Sequence, residues 1–299
     1  MPSAPCNPLQ RQGYQFFSEA STAALKPCMW CKRALAGGDM CYKHQFYGIA
    51  SHRCVQLTPT LRCNQRCLFC WRAVEEDIRE ESECPPETIL AGVHRLQKKA
   101  LAGYNAVLDN TVTDERWQEA LAPKHVAISL SGEPTLYSHL PELIRMFNAE
   151  GYTTFVVSNG TNPSMLSRCQ PYQQYVSLDA PDRETYIRLC RPAGDYWDRI
   201  RESLALLGNR RSAVRLTLVS GHNDIHPEKY AALLQDSGAT YAEVKGYMYL
   251  GYSRNRLARE NMPEHGAVRS FAERIAAACD YRIKDENRLS RVVCLERVT

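Results

Sequence analysis

The chain holds 299 residues, 44% hydrophobic and 23% charged, with 13 cysteines and a formal net charge of +4. That length suffices for one barrel-sized domain, no run of ~20 apolar residues marks a membrane span, and the positive balance falls short of a dedicated nucleic-acid module. An odd cysteine count without a targeting segment argues against a disulfide framework and predicts a cytoplasmic protein whose thiolates hold metal.

In chain order, the first feature is a cysteine-rich extension over residues 1–53, with Cys28, Cys31 and Cys41 followed by Cys54 at its border. Four thiols in so short a stretch are too many for core filler. They suit either a zinc tetrahedron or an iron-sulfur centre. β-branched and aromatic runs then alternate with amphipathic segments, the order of parallel strands joined by helical crossovers. Strands are predicted at Cys54 to Thr60, His125 to Leu130, Thr153 to Ser158, Gln174 to Asp179, Val214 to Val219 and Tyr241 to Tyr247. Helical spacing covers Pro86 to Leu101, Leu140 to Glu150, Asp195 to Leu207 and Pro227 to Gln235, with a last helix near Glu264 to Ala278 before a polar tail. The fold class predicted is α/β, a partial (βα)6 barrel over 54–260 with the extension before it and a helix and tail over 261–299. An acidic stretch from Arg72 to Pro86, with Glu75, Glu76, Asp77, Glu80, Glu81 and Glu83, reads as a solvated loop.

Within the barrel the chemistry concentrates at Cys63-Asn64-Gln65-Arg66-Cys67-Leu68-Phe69-Cys70, a CxxxCxxC triplet. Structural zinc closes four ligands, usually from two pairs, and no second pair accompanies this one. Three thiolates instead leave one iron of a cluster open to a cosubstrate. Parallel barrels gather reactive groups where strands end. Ser131-Gly132-Glu133-Pro134-Thr135, Ser158-Asn159-Gly160-Thr161 and Ser177-Leu178-Asp179 are therefore the informative loops, although a capping role for Glu133 and a plain Asn-Gly turn at Asn159 stay open.

The triplet, with an aromatic before its last cysteine, resembles the signature of radical S-adenosylmethionine enzymes, and Ser131-Gly132-Glu133 is similar to their GGE-like motif with Ser for the first Gly. The resemblance implies a [4Fe-4S] cluster on Cys63, Cys67 and Cys70 that cleaves S-adenosyl-L-methionine to a 5′-deoxyadenosyl radical. Gly132, Glu133, Ser158, Asn159 and Asp179 would contact that cosubstrate. Cys41-Tyr42-Lys43-His44-Gln45-Phe46-Tyr47-Gly48-Ile49, Ser51-His52-Arg53-Cys54, Phe69-Cys70-Trp71-Arg72 and Lys124 to Tyr137 resemble one family among these enzymes, the tRNA 4-demethylwyosine synthases, in their compact archaeal form. That implies joining two carbons of pyruvate to N1-methylguanosine beside the anticodon of phenylalanine tRNA. It also implies a second, auxiliary [4Fe-4S] cluster on Cys28, Cys41 and Cys54, with Cys31 a bystander, and an external electron donor such as flavodoxin or ferredoxin. Lys43 would form a Schiff base with pyruvate, Lys245 being the competing amine. Tyrosines interleaved with Arg254, Arg256 and Arg259 beyond the last strand are the predicted RNA-binding surface, an ordinary charged helix face being the alternative. A monomer is expected. Another RNA or a peptide as substrate, or a non-catalytic zinc and RNA-binding module, remain open readings.

Overall fold

The computed structural model describes residues 8–75, 82–107 and 112–298. They fall in two compact units, one within Met1–Arg62 and Ile78–Val156, the other within Cys63–Asp77 and Val157–Thr299. Among the described residues no helix is long and apolar enough to cross a membrane.

In the first unit a short helix α1 (Pro8–Arg11) precedes strands β1 (Gln15–Phe16) and β2 (Ala24–Leu25), then helices α2 (Met29–Leu35) and α3 (Tyr42–Tyr47). Strand β3 (Cys54–Thr58) pairs antiparallel with β2 and parallel with β4 (His125–Ile128), which pairs parallel with β5 (Thr153–Ser158). Helices α4 (Pro86–Val107), α5 (Asp114–Leu121) and α6 (Leu140–Ala149) supply the crossovers. Val126, Ala127 and Ile128 of β4 and Thr154, Phe155 and Val156 of β5 are buried in succession, as expected of parallel strands covered on both faces. Strand β3 instead alternates, with Val55 and Leu57 buried and Cys54 and Gln56 half-buried.

The second unit holds β6 (Gln173–Ser177), β7 (Ser212–Leu218) and β8 (Tyr241–Gly246) in parallel, with helices α7 (Pro163–Arg168), α8 (Arg183–Cys190), α9 (Trp197–Ala205), α10 (Pro227–Ser237) and α11 (His265–Ala276). Its core joins Val176, Val214, Leu216 and Val244 of the strands to Ile200, Leu204, Leu234 and Phe271 of the helices. The predicted six parallel strands are thus present, three in each unit, within two residues of the expected ends.

The tail departs from expectation. Residues Tyr281–Asn287 and Val292–Arg297 form an antiparallel hairpin, β9 and β10, whose second strand pairs with β8. Val292, Val293, Cys294 and Leu295 are fully buried, which offsets the polar look that the flanking charges lend this stretch. Of the acidic stretch, Glu76, Asp77, Glu80 and Glu81 lie outside the described residues. The flanking pair is not free in solvent: Glu75 meets Arg256, while Glu83 meets Arg62 and accepts from Ser138.

Candidate active site

The cysteine loop of the second unit has no regular structure of its own, so its backbone groups need partners from elsewhere. The end of α8 supplies several. Arg66 N–H donates to the carbonyls of Cys190 and Arg191, each at 3.1 Å, and Leu68 N–H donates to that of Leu189 at 2.9 Å. Ala193 N–H returns a bond to the Asn64 carbonyl at 2.9 Å, and Gln65 Nε2 donates to the Tyr186 hydroxyl at 3.0 Å. The Cys190 side chain meets the triplet directly. The Cys67 thiol is held well above its usual range, first by its hydrogen bond with Cys190, then by burial and by the nearby Cys70 and Asp179. Cys63 also acts on Cys190, so all three thiols of the triplet converge on one place.

Two of the predicted strand-end residues lie against this loop. Asn159 Nδ2 donates to Asn64 Oδ1 at 2.8 Å, Asn64 Nδ2 donates to Thr161 Oγ1 at 2.8 Å, and Thr161 Oγ1 donates to Asn159 Oδ1 at 2.7 Å, closing a ring of polar side chains. Asp179 borders the same cavity as Gln65, Asn159 and Cys190, about 10 Å³ in size and room for one water at most. Burial pushes its carboxyl up to about 6, even though Thr217 N–H donates to it at 2.7 Å. Ser158 turns inward and accepts from Gly160 N–H at 3.0 Å.

The first unit carries Gly132 and Glu133. Gly132 sits at φ +77°, and a Cβ there would stand 2.2 Å from the Thr60 carbonyl oxygen. Only glycine fits so close a backbone approach. Glu133 N–H donates to the Arg62 carbonyl at 2.7 Å, while its buried carboxylate caps the following turn by accepting from Thr135 N–H and Oγ1 at 3.0 and 2.7 Å. The capping role considered for Glu133 is therefore present.

The same unit gathers the extension's cysteines. Cys28 and Cys41 are the N-caps of α2 and α3, their sulfurs accepting from Cys31 N–H and Lys43 N–H, each at 3.3 Å. Burial raises the Cys28 thiol nonetheless, outweighing these amide donors, which favour a thiolate. Cys54, at the first position of β3, is pushed up by burial and then by Cys28 and Cys41 beside it, with Lys43 pulling the other way. Lys43 acts on Cys28 in the same sense, and its Nζ lies 4.6 Å from the centre of the Phe155 ring. Cys31 is wholly buried in an apolar cluster with Leu35, Leu101 and Ala120. Among the described residues no three donors close on a single metal ion, but a cubane is larger than one ion and asks for thiols set farther apart.

Some polar residues escaped the sequence reading. Arg215 of β7 and Glu243 of β8 form a register pair, bonded at 2.9 Å, with Glu243 fully buried and the guanidinium 5.0 Å from the Tyr175 ring. Their signal was a charge inside each otherwise buried strand. Lys245 donates to the Ser290 carbonyl at 2.6 Å. Arg254 and Arg259 are exposed, whereas the Arg256 side chain is only 6% exposed and bonds back to the cysteine loop.

The fold and the converging triplet define a radical S-adenosylmethionine enzyme. The family described as "Radical SAM superfamily" matches residues 57–234, and that described as "Wyosine base formation" matches 236–297. The S-adenosyl-L-methionine-dependent tRNA 4-demethylwyosine synthase of Pyrococcus abyssi is 43% identical over 99% of this chain and 90% of its own length; that of Methanocaldococcus jannaschii is 39% identical over 96% and 94%. A solved structure of TYW1 with a lysine-pyruvate adduct bound superposes with a TM-score of 0.88 at 38% identity, over 97% of this chain and 94% of that one. The chain belongs to the tRNA 4-demethylwyosine synthase family. Membership brings with it S-adenosylmethionine and a [4Fe-4S] cluster, and the convergent thiols of the triplet fit such a cluster.

Proposed function

We propose that this chain joins two carbons of pyruvate to N1-methylguanosine beside the anticodon of phenylalanine tRNA, forming tricyclic 4-demethylwyosine. The observation that carries the reading is Lys43, set among Cys28, Cys41 and Cys54 and over the Phe155 ring, together with a relative solved as a lysine-pyruvate adduct.

In this reading Cys63, Cys67 and Cys70 hold the radical-forming cluster, Cys28, Cys41 and Cys54 hold an auxiliary one, and Cys31 stays in its apolar cluster. When bound, the clusters and cosubstrate would supply one-electron cleavage of the sulfonium and Lewis acidity toward the pyruvate carboxylate. The chain's own work is placement. The Lys43 amine adds to the keto carbon of pyruvate, and loss of water leaves an imine. The Cys28 and Cys54 thiols, both desolvated by burial, and the Phe155 face next to the amine keep bulk water from hydrolysing it. The N1-methyl carbon, once a hydrogen atom has been abstracted from it, bonds to the imine carbon. The bond from the imine carbon to the carboxyl group breaks and the carboxyl carbon leaves. The pyruvate methyl stays as a substituent, and closure onto the exocyclic amine of the guanine displaces the lysine amine. Gly132, Glu133, Ser158, Asn159 and Asp179 bind the cosubstrate. Arg254 and Arg259 contact tRNA phosphates.

The extension (1–53), barrel (54–260) and tail (261–299) act as one monomeric cytoplasmic enzyme fed by a separate flavodoxin or ferredoxin. Anaerobic turnover with labelled pyruvate and methylated tRNA, quenched with borohydride and mapped by peptide, tests the assignment. Label on Lys43 and a tricyclic product are expected. Label on Lys245 instead, or no product with both clusters loaded, refutes it.

A further inference from the structure

Segment 251–256, just after β8, grips the cysteine loop at two points. The first is a backbone contact. Gly251 lies at φ +55°, where a Cβ would stand 2.4 Å from the Trp71 carbonyl oxygen, and Tyr252 N–H donates to that same oxygen at 3.0 Å.

The second is the Arg256 guanidinium. Nε donates to the Leu68 carbonyl at 3.1 Å, and Nη2 donates to the carbonyls of Cys70 and, at 3.1 Å, Arg72. Nη1 pairs with both oxygens of Glu75 at 2.8 and 3.0 Å. One buried side chain thus satisfies three carbonyls of an irregular loop, a task a planar fork performs and an ammonium does not. The segment is itself fixed, because buried Ser253 accepts from the Tyr247 hydroxyl at 2.8 Å and donates to the Leu250 carbonyl. Leu257 packs with Leu189, Val219 and Tyr247, against which Leu68 and Phe69 also rest. So committed and so buried, Arg256 presents no fork to a phosphate, unlike Arg254 and Arg259.

We propose that Arg256 is a positioning residue of the radical centre: its guanidinium sets the direction of the Leu68, Cys70 and Arg72 carbonyls, hence where the Cys70 thiolate stands, and its charge, balanced by Glu75, favours the reduced state of a cluster held there. The inference rests on the reading that Cys63, Cys67 and Cys70 hold that cluster. Charges and hydrogen bonds around cluster sulfurs are the protein's levers on potential.

The test uses reconstituted full-length enzyme carrying Arg256→Met, Arg256→Lys or Glu75→Gln. Five readouts apply: iron and sulfide per chain, the change that S-adenosylmethionine induces in the electron paramagnetic resonance spectrum of reduced enzyme, the midpoint potential of the responding cluster, cosubstrate cleavage without tRNA, and tRNA affinity across salt. For Arg256→Met the cosubstrate-induced spectrum changes, the potential falls and cleavage without tRNA drops at least tenfold, while the tRNA Kd stays within twofold. Arg256→Lys recovers the potential but not the spectrum. Glu75→Gln shifts the potential upward.

The inference is overturned if Arg256→Met leaves spectrum and potential unchanged, and equally if it raises the tRNA Kd tenfold and lowers the salt slope by about one, the mark of a phosphate contact. Should Arg256→Met fail to load iron, an unchanged potential in Glu75→Gln with a wild-type spectrum in Arg256→Lys overturns it as well. The underlying reading fails separately, if Cys67→Ser keeps the cosubstrate-responsive signal.

Discussion

Replacing Gly132 by alanine isolates the close approach on which the loop after β4 depends. Two costs add. A left-handed backbone conformation costs an L-residue about 1–2 kcal/mol. The new methyl would also stand 2.2 Å from the Thr60 oxygen and 2.9 Å from the Arg62 oxygen and the Leu61 carbonyl carbon, all backbone atoms that cannot rotate away. Such overpacking adds about 1–3 kcal/mol. Gly151 is the control, since its φ of +78° matches while nothing stands within 4 Å of its Cβ position. Gly132→Ala should therefore destabilise by roughly 2–5 kcal/mol and Gly151→Ala by about 1–2, the difference being the steric term. Because the chain has two compact units, a single unfolding curve mixes them. Hydrogen exchange of the peptides covering 54–62 and 125–136 reads the local opening free energy instead. Equal effects at the two glycines would refute the close-approach argument.

Asp182 caps α8 through Thr185 N–H and pairs with Lys229, which together outweigh burial and hold its carboxyl at about 2, below the ordinary 3.8. Asp182→Ala should cost about 1 kcal/mol near neutrality; a depressed carboxyl stabilises above its unfolded pKa, so the gap to wild type should close as pH falls from 4 through 2, read by hydrogen exchange of the second unit's peptides in the metal-free chain. Glu243→Ala leaves the Arg215 guanidinium without its buried partner and should cost about 3–5 kcal/mol, whereas Arg215→Met with Glu243→Leu should be nearly neutral by the same assay. Arg254→Ala and Arg259→Ala should each weaken tRNA binding at all salt concentrations and lower the salt slope by about one in filter-binding titrations.

The barrel strands were legible because runs such as Val126-Ala127-Ile128 and Thr154-Phe155-Val156-Val157 have few other ways to be buried. The C-terminal hairpin was not. Its apolar core of four residues sits between charges, and its place as a buried strand depends on pairing with the edge of β8 that β7 leaves open. Arg256 shows the same limit in the candidate site. Its alternation with Arg254 and Arg259 looks like one basic surface, yet burial depends on the Gly251 approach to Trp71, more than a hundred residues away in sequence. Asn64 lies within the CxxxCxxC motif, but its partnership with Asn159 and Thr161 is a tertiary fact. Cys190, remote in sequence and outside every motif, carried no signal.

Helix α8 links these observations into one causal chain. Asp182 fixes its start, Tyr186 receives Gln65, and the carbonyls at its end receive the loop's amides. That end is set by Arg191, a non-glycine residue at φ +46° whose N–H still donates to Ile187. Such strain persists only where the surroundings over-determine it, and here it turns the Cys190 and Arg191 carbonyls together toward Arg66. Arg191→Gly keeps the conformation and should leave stability within about 1 kcal/mol. Arg191→Val disfavours it at the β-branched Cβ, so the helix end should rotate, Arg66 and Leu68 lose their acceptors, and the triplet lose iron, while any iron at the proposed auxiliary site of Cys28, Cys41 and Cys54 is retained. Iron per chain and the cosubstrate-responsive spectrum separate the two variants; equal loading in both would mean that α8 only borders the loop rather than shaping it.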